Sequence, residues 1–483
     1  MTETYTAWTA LVDLGFIGLL LSIGVFLRAR IRFLQNMLVP ASVIAGLLGL
    51  LLGPNVLGAI AREHGWKIGS LQFNGIPLSS QVSTYSSILI VVVFACMALT
   101  DDFDVRKINR SVAGFATYGV LMYSLQVAVG MGLCLLVLKP LFDSPDSIGL
   151  MLFTGWAGGF GTAAAVGDVF NEAGDPGMAS IAFSSATVGL LAGVIGGIII
   201  ANIGARRGQV EAFKGMDSLP QDIRTGILDQ TETRPAIGTH TFSGGTVESL
   251  TFNVGVISIA CLCAYGINQV LKMWLPDISF PLFSISFVVG IVMRLVMNST
   301  KSSHLIDTDS LRSISGMATD ILVVCGIASI EPSFVKDYVG ALGVLFLVGL
   351  LLCVFLGFVV APRMMGDGWF ERQLFTWGWA TGAVSTGLAL LRIVDPKLKS
   401  GTIEQFGYAY IPVVPVEIAA VSFAPMLVLA SASWAVVGVW GGLAVIAIFV
   451  GIWLSRHGSK KSAPLGHVAT LGGSFVGGKN EFD

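Results

Sequence analysis

Charged residues are scarce in this chain. Asp, Glu, Lys and Arg make up 12% of its 483 residues, about half their usual share in soluble proteins, while apolar residues make up 54%. So few charges cannot cover a surface that faces water. The net charge of -2 also gives no basic surface for nucleic acid. We therefore expect a protein that is embedded in a lipid bilayer and has no nucleic-acid partner.

Histidine and cysteine are few, and their positions argue against a catalytic or metal centre. All five histidines fall in predicted loops or tails, and the six cysteines lie inside apolar runs without the spacing of metal ligands or of a disulfide framework. No Ser/His/Asp arrangement or phosphate-binding glycine loop with its lysine is apparent. These absences argue against an enzyme, and we expect no organic cofactor.

Apolar runs of about 20 residues recur along the whole chain, and each is long enough to cross a bilayer. The first run lacks the basic flank of a cleaved signal peptide, so we interpret it as a retained span. The pattern predicts an all-α polytopic membrane protein with about eleven transmembrane helices. The predicted spans cover residues 8–28, 36–58, 82–99, 112–137, 178–203, 250–274, 280–298, 312–330, 338–361, 406–430 and 434–454.

Two further apolar stretches are rich in glycine and too short to cross twice, residues 147–172 and 374–395. Each must therefore enter and leave on one side. With the N-terminus outside and the C-terminus inside, the inner loops carry 23 of the 28 Lys and Arg residues and the outer loops carry five. Counting either stretch as a crossing would destroy this asymmetry. The sequence predicts two re-entrant hairpins that approach from opposite faces.

A short internal repeat relates the two hairpins, because Gly155-Trp-Ala aligns with Gly378-Trp-Ala. Each copy follows four predicted spans and precedes one, so each half of the chain has five spans. A half with an odd number of spans starts and ends on opposite sides of the membrane, and the second half must therefore be inverted relative to the first. Inverted repeats with sites at broken segments are typical of secondary transporters. The predicted divisions are an N-terminal repeat over 1–204, a cytoplasmic linker over 205–249, an inverted repeat over 250–431, and an extra span with a cytoplasmic tail over 432–483.

Three glycines, Gly158, Gly159 and Gly161, cluster at the expected tip of the first hairpin. Glycine permits a non-helical backbone, whose free N–H and C=O groups can bind substrate or cations. Thr162 adds a hydroxyl group, and Thr187 in the following span is a further candidate. The alternative interpretation is that these glycines only allow helices to pack closely.

The second hairpin is richer in hydroxyl groups, with Thr381, Ser385 and Thr386 around Gly382. Hydroxyl and carbonyl oxygens suit a small cation such as sodium. We take Ser385, Thr386 and, in the first hairpin, Thr162 as the candidate sodium ligands. The same hydroxyl groups could instead bond to their own helix backbone.

Several charged residues lie near the hairpins. Arg392 could pair with a substrate carboxylate or extend to the cytoplasmic interface. Glu417, inside the tenth predicted span, could bind a coupling cation, carry a proton, or be a carboxylate paired within the bundle. Asp320 in the eighth span has a similar status, and we interpret Asp168 and Glu172 as solvated loop charges.

The chain resembles the bacterial sodium/glutamate symporters, and the sodium/citrate symporters are more distant relatives of similar architecture. The resemblance covers about residues 10–430 and is carried by three segments: Gly158-Gly-Phe-Gly-Thr-Ala-Ala-Ala, which matches the family's Gly-Gly-x-Gly motif, Ala186-Thr-Val-Gly-Leu-Leu-Ala-Gly-Val-Ile-Gly-Gly, and Arg363-Met-Met-Gly. It implies hairpins that meet near substrate and sodium, a homodimer, and an elevator-like movement of one domain against another. The second hairpin departs from the family's glycine-rich motif at Thr381-Gly-Ala-Val.

We therefore expect a sodium-coupled symporter for glutamate or a related small anionic solute, in the cytoplasmic membrane of a bacterium. Its partners would be the anionic solute, sodium, the lipid bilayer and a second copy of the chain. The alternative within transport is a proton-coupled carboxylate transporter that uses Glu417. Outside transport by a carrier, the alternatives are a channel or a membrane sensor.

Overall fold

A computed structural model describes most of the chain. Most of the predicted linker and the tail beyond 456 lie outside the described residues. Many of the Lys and Arg residues that were counted for the orientation also lie outside them. The described residues are 5–68, 71–100, 110–175, 177–207, 221–228, 236–243, 245–274, 281–366, 368–395 and 400–456.

The first half is helical except for one antiparallel pair of two-residue strands, Lys67–Ile68 and Leu71–Gln72. Its main helices are α1 (Ala7–Arg30), α2 (Ala41–Leu52), α3 (Val82–Thr100), α4 (Arg110–Leu133), α5 (Met151–Gly155), α6 (Gly159–Glu172) and α7 (Gly177–Arg206). Shorter helical segments cover Arg32–Asn36, Leu57–Glu63, Cys134–Leu138, Lys139–Phe142 and Asp146–Leu150.

The described residues of the second half form helices joined by loops and turns, with no β-strand among them. Its main helices are α8 (Ser249–Trp274), α9 (Leu282–Ser299), α10 (Thr308–Ala328), α11 (Val339–Phe355), α12 (Trp369–Thr381), α13 (Val384–Val394), α14 (Thr402–Tyr410), α15 (Val413–Leu429) and α16 (Ser433–Arg456). Shorter segments cover Gln221–Thr225, Ser303–Leu305, Pro332–Asp337, Leu356–Val360 and Ala361–Met365.

Ten helical segments in the described part of the chain are long and apolar enough to cross a membrane. The predicted class, an all-α polytopic membrane protein, is confirmed. The predicted span 406–430 is not among them, because it is divided into α14 and the 17-residue α15. Pro412 contributes to the division, since proline donates no backbone hydrogen bond, although Ile411 and Pro412 both keep right-handed helical dihedral angles.

The helices form two bundles, and each bundle takes helices from both halves of the chain. Helices α1, α2, α3, α8, α9 and α10 contact one another in the first bundle, while α4, α5, α6, α7 and α11 to α16 form the second. We call the second the hairpin bundle. Helix α6 contacts α3 and α10 and so joins the two bundles. The division of the sequence into inverted repeats stays a prediction.

One buried carboxylate, Asp13 in α1, ties the start of the first bundle to the loop before α3. Only 1% of Asp13 is exposed. Its carboxylate accepts hydrogen bonds from the backbone N–H of Ser79 at 2.9 Å, the Ser79 hydroxyl at 2.5 Å and the Tyr85 hydroxyl at 2.7 Å. Because its hydrogen-bonding capacity is used by the protein, we interpret Asp13 as a structural residue. The sequence analysis did not single it out.

Candidate functional site

The first broken segment runs from Asp146 to Glu172, and its return to the side on which it starts stays a prediction of the charge count. Near its start, Asp146 contacts Lys139 at 2.7 Å, and at its end Glu172 contacts Lys272 at 3.4 Å. Both lysines belong to the side that the charge count assigns to the outside. Between these ends, α5 stops at Gly155 and α6 begins at Gly159.

The tip of this segment reaches the middle of α7. A Cβ atom added at Gly189 would lie 2.8 Å from the Trp156 ring, and Gly189 is twelve residues, about 18 Å, after the start of α7. At Gly159 the backbone has a φ of +62°, a left-handed conformation that favours glycine. The glycine cluster therefore forms the turn that the sequence analysis predicted.

The second broken segment approaches along α7 from its other end. Phe370 of α12 packs against Gly204, and the indole N–H of Trp377 donates to the Gly193 carbonyl oxygen at 2.9 Å. Helix α12 ends at Thr381, and α13 begins at Val384. Its two arms are close, since a Cβ atom at Gly378 would lie 2.6 Å from the backbone nitrogen of Gly387.

The two tips meet beside Gly189 of α7. A Cβ atom added at Gly159 would overlap the carbonyl oxygen of Gly382, and one added at Gly189 would lie 2.7 Å from the Thr381 carbonyl oxygen. Two glycines from different halves of the chain are thus in direct backbone contact. We call this contact, with the residues that flank it, the tip junction.

Gln126 in α4 is bonded to both hairpins, and the sequence analysis missed it. The Ala157 N–H donates to its side-chain oxygen at 3.1 Å, and its amide nitrogen donates to the Ala380 carbonyl oxygen at 2.8 Å. Gln126 is fully buried. The available signal was a lone amide inside the apolar run 112–137, where a polar side chain needs a partner.

The structure separates the hydroxyl candidates. Thr187 and Thr381 donate to the carbonyl oxygens of Phe183 and Trp377, one turn earlier in their own helices, at 2.9 and 2.6 Å. The donor function of each hydroxyl is therefore satisfied by its own helix backbone, while the oxygen lone pairs stay able to accept a hydrogen bond or bind a cation. A role for Thr187 and Thr381 in the site stays a prediction.

The three predicted sodium ligands have different environments. Thr386 is buried, and its hydroxyl has no hydrogen-bond partner among the residues that the structure describes. Thr162 is 1% exposed, whereas Ser385 is exposed. The structure forms no hydrogen bond between Thr162 and the other two. Of the three, Thr386 is the one whose hydroxyl group is buried and unsatisfied, and such groups usually have a partner.

Glu417 lies on α15, which packs against both α4 and α6. Its carboxylate accepts a hydrogen bond from the Tyr410 hydroxyl across the break between α14 and α15. Helix α4 carries the buried Tyr123, and α6 carries the buried Thr162. We refer to these four side chains, which lie on helices that pack beside the first hairpin, as the polar group around Glu417.

The other charged candidates lie away from the tip junction. The Arg392 guanidinium is 4.0 Å from the Asp222 carboxylate and ten residues beyond Gly382, at the open end of the second hairpin. Asp320 is exposed on α10. The interpretation of Asp168 and Glu172 as loop charges was wrong, because α6 continues to Glu172. Asp168 is half-buried there.

The comparison with protein families decides the identity of the fold. A family model described as sodium/glutamate symporter matches residues 8–395. The chain belongs to the sodium/glutamate symporter family. It is accordingly a multi-pass membrane protein and a secondary transporter that performs sodium/glutamate symport, and its family is one of transporters rather than enzymes. No curated protein sequence gives a significant match.

The symporter match includes both hairpins and Gln126 but ends before α14. Tyr410, Glu417 and the last span therefore lie outside the matched region. The tip junction and its hydrogen bonds to α4 belong to the part shared with the family, whereas the polar group around Glu417 combines matched and unmatched segments.

Proposed function

We propose that the tip junction is where this symporter binds glutamate and sodium together. The observation that carries the proposal is the contact between Gly159 and Gly382, because it joins the broken ends of two hairpins at the depth where the backbone of each is non-helical. Non-helical backbone is tolerated at membrane depth only where protein buries it or where it lines a cavity.

Two helix N-termini support an anionic substrate. Helix α6 begins at Gly159 and α13 at Val384, both at the tip junction, and neither has a side-chain N-cap. First-turn N–H groups and the helix dipole favour negative charge. Glutamate carries two carboxylates, so one N-terminus for each would account for a preference for a dicarboxylate amino acid. The proposal gives Arg392 no role in substrate binding, because it lies at the open end of the second hairpin, beside Asp222.

Carbonyl ends and hydroxyl groups support sodium at the same place. Helices α5 and α12 end at the tip junction with their last carbonyl groups, and such C-terminal ends bind cations in transporters. The Thr386 hydroxyl is buried without a partner. A second cation position is supported by Thr162, Tyr123 and Glu417, where a carboxylate contributes the charge.

The coupling follows from sharing one junction. Sodium neutralises charge beside the substrate carboxylates, and each ligand stabilises the arrangement that the other prefers, which is the thermodynamic requirement for coupling. The proposal includes elevator-like movement of the hairpin bundle against the first bundle. It also includes a homodimer and a location in a bacterial inner membrane with the N-terminus outside, all three supported by the resemblance or the charge count.

The test is uptake of labelled glutamate into liposomes that contain the purified protein. We expect uptake with an inward sodium gradient, none with a potassium gradient, and inhibition by an excess of unlabelled glutamate. Uptake that ignores sodium but follows a pH gradient would contradict the proposal and favour proton coupling. A parallel panel of aspartate, citrate and glutamine tests whether two carboxylates and an amino group are all required.

Replacing Thr386 with valine tests the sodium ligands within the second hairpin. Valine has nearly the same shape, so the change removes only the unpartnered hydroxyl. We expect the sodium concentration for half-maximal uptake to rise about fivefold, the effect of losing one oxygen contact. Thr117→Val is the matched control, because the Thr117 hydroxyl bonds to the Ala113 carbonyl in its own helix. An unchanged sodium dependence in Thr386→Val would remove Thr386 from the site.

A further inference from the structure

Gln126 stands out among the buried polar side chains because each end of its carboxamide bonds to a different hairpin. The side-chain oxygen accepts from the Ala157 N–H at 3.1 Å, and the side-chain nitrogen donates to the Ala380 carbonyl oxygen at 2.8 Å. These two alanines occupy equivalent positions in the internal repeat that aligns Gly155-Trp-Ala with Gly378-Trp-Ala. One side chain thus contacts the same position of both repeats.

The two backbone groups are ones that a broken helix leaves without a helical partner. Ala157 lies in the gap between α5 and α6, and Ala380 lies in the last turn of α12. A backbone group that is unsatisfied in a membrane interior is costly. Because one group is a donor and the other an acceptor, only a side chain with both functions can satisfy them together. An amide does this without a charge.

We propose that Gln126 is a positioning residue that holds the two hairpin tips at a fixed distance and so sets the affinity of the site between them. The inference rests on the proposed function of the tip junction. Movement of either tip away from α4 breaks one of the two hydrogen bonds. When the two tips separate from each other, Gln126 can therefore keep its hydrogen bond to only one of the two hairpins.

The experiment replaces Gln126 with methionine, which keeps the length of the side chain and removes both hydrogen bonds. We expect the sodium concentration for half-maximal uptake and the KM for glutamate each to rise about fivefold, with a smaller change in the maximal rate. Gln35→Met is the matched control, since Gln35 is buried and its amide donates to the Ala29 carbonyl at 2.7 Å far from the hairpins. It should leave both values unchanged.

Gln126→Glu provides a rescue that a purely structural role would not show. A protonated carboxyl group has one donor and one acceptor and can replace the amide, whereas an ionised carboxylate has no donor for the Ala380 carbonyl. The affinity of Gln126→Glu for glutamate should therefore improve as the pH falls, relative to wild type at the same pH. If the affinity of Gln126→Glu stayed at the level of Gln126→Met at every pH, the proposal would be overturned, because a buried carboxyl group that is protonated should restore both hydrogen bonds.

A labelling measurement makes the result independent of transport. Because the Gln126 amide also lies 3.6 Å from the Cys353 sulfur, the background for this measurement has Cys261, Cys263 and Cys353 replaced by alanine. In that background a cysteine at the buried Thr386 position should react with a maleimide about fivefold faster when Gln126 is methionine. If wild type fails to take up glutamate but this acceleration is present, the substrate assignment is wrong and the positioning role stands. If Gln126→Met lowers only the melting temperature, with labelling and affinities unchanged, the positioning role is wrong.

Discussion

Replacing Gly159 with alanine should reduce sodium-dependent glutamate uptake about a hundredfold. Two effects add. Alanine at a φ of +62° is strained by about 1 kcal/mol or more, and its Cβ atom would overlap the Gly382 carbonyl oxygen, so the tips must move apart. A displacement of about 1 Å at a site of this kind can cost a hundredfold in rate. The measurement is the initial rate of uptake into liposomes that contain equal amounts of folded protein.

Two glycines separate these effects. Gly65 has a φ of +65° with no atom near an added Cβ, and Gly18 in α1 has open space in a helix. We expect Gly65→Ala to show the cost of backbone strain alone and Gly18→Ala to behave like wild type. If Gly159→Ala transports as fast as Gly65→Ala, contact between the tips is not needed for uptake.

Replacing Glu417 with glutamine should raise the sodium concentration for half-maximal uptake tenfold or more. Glutamine keeps an oxygen that can accept the Tyr410 hydrogen bond but removes the negative charge from α15, the helix that packs against α4 and α6. Contacts to a charged group contribute about 1.5–3 kcal/mol, which corresponds to at least about tenfold in affinity. The measurement is uptake as a function of sodium concentration at saturating glutamate.

Tyr410→Phe and Glu63→Gln are the comparisons for Glu417. The first removes the hydrogen bond and keeps the charge, so its effect should be smaller than that of Glu417→Gln. The second neutralises an exposed glutamate near the strand pair and should have no effect. Sodium dependence that is unchanged in Glu417→Gln, together with a lost response to pH, would assign Glu417 to proton transfer.

The hairpins could be predicted because their signals are local. Glycines concentrated at residues 158–161, the repeated Trp-Ala pair and the distribution of lysine and arginine all act within or next to one segment. The break at Ile411 and Pro412 was not predicted, although Pro412 and Pro415 stand in the sequence of that span. The error over Asp168 has a similar origin, because the length of α6 depends on its packing against α7 and not on the glycines that begin it.

Site residues were harder to predict than the hairpins that carry them. The sequence offered five threonine and serine hydroxyls as candidates and favoured three of them as sodium ligands. Only the positions of neighbouring backbone groups distinguish Thr386, whose hydroxyl has no partner among the described residues, from Thr187 and Thr381, whose hydroxyls donate to their own helices. Gln126 was missed for the same reason, since its two partners lie 31 and 254 residues away in the sequence.

The sequence by itself determined that the protein lies in a membrane, that its spans are interrupted by two glycine-rich hairpins, and that it resembles sodium/glutamate symporters. Composition and the length of apolar runs are sufficient for this, because the bilayer acts on each segment independently. The tertiary structure decided that the two hairpin tips touch, that Gln126 of α4 bonds to both, and that the Thr386 hydroxyl has no hydrogen-bond partner among the described residues. These features depend on backbone groups from distant segments, and local patterns carry no information about such distances.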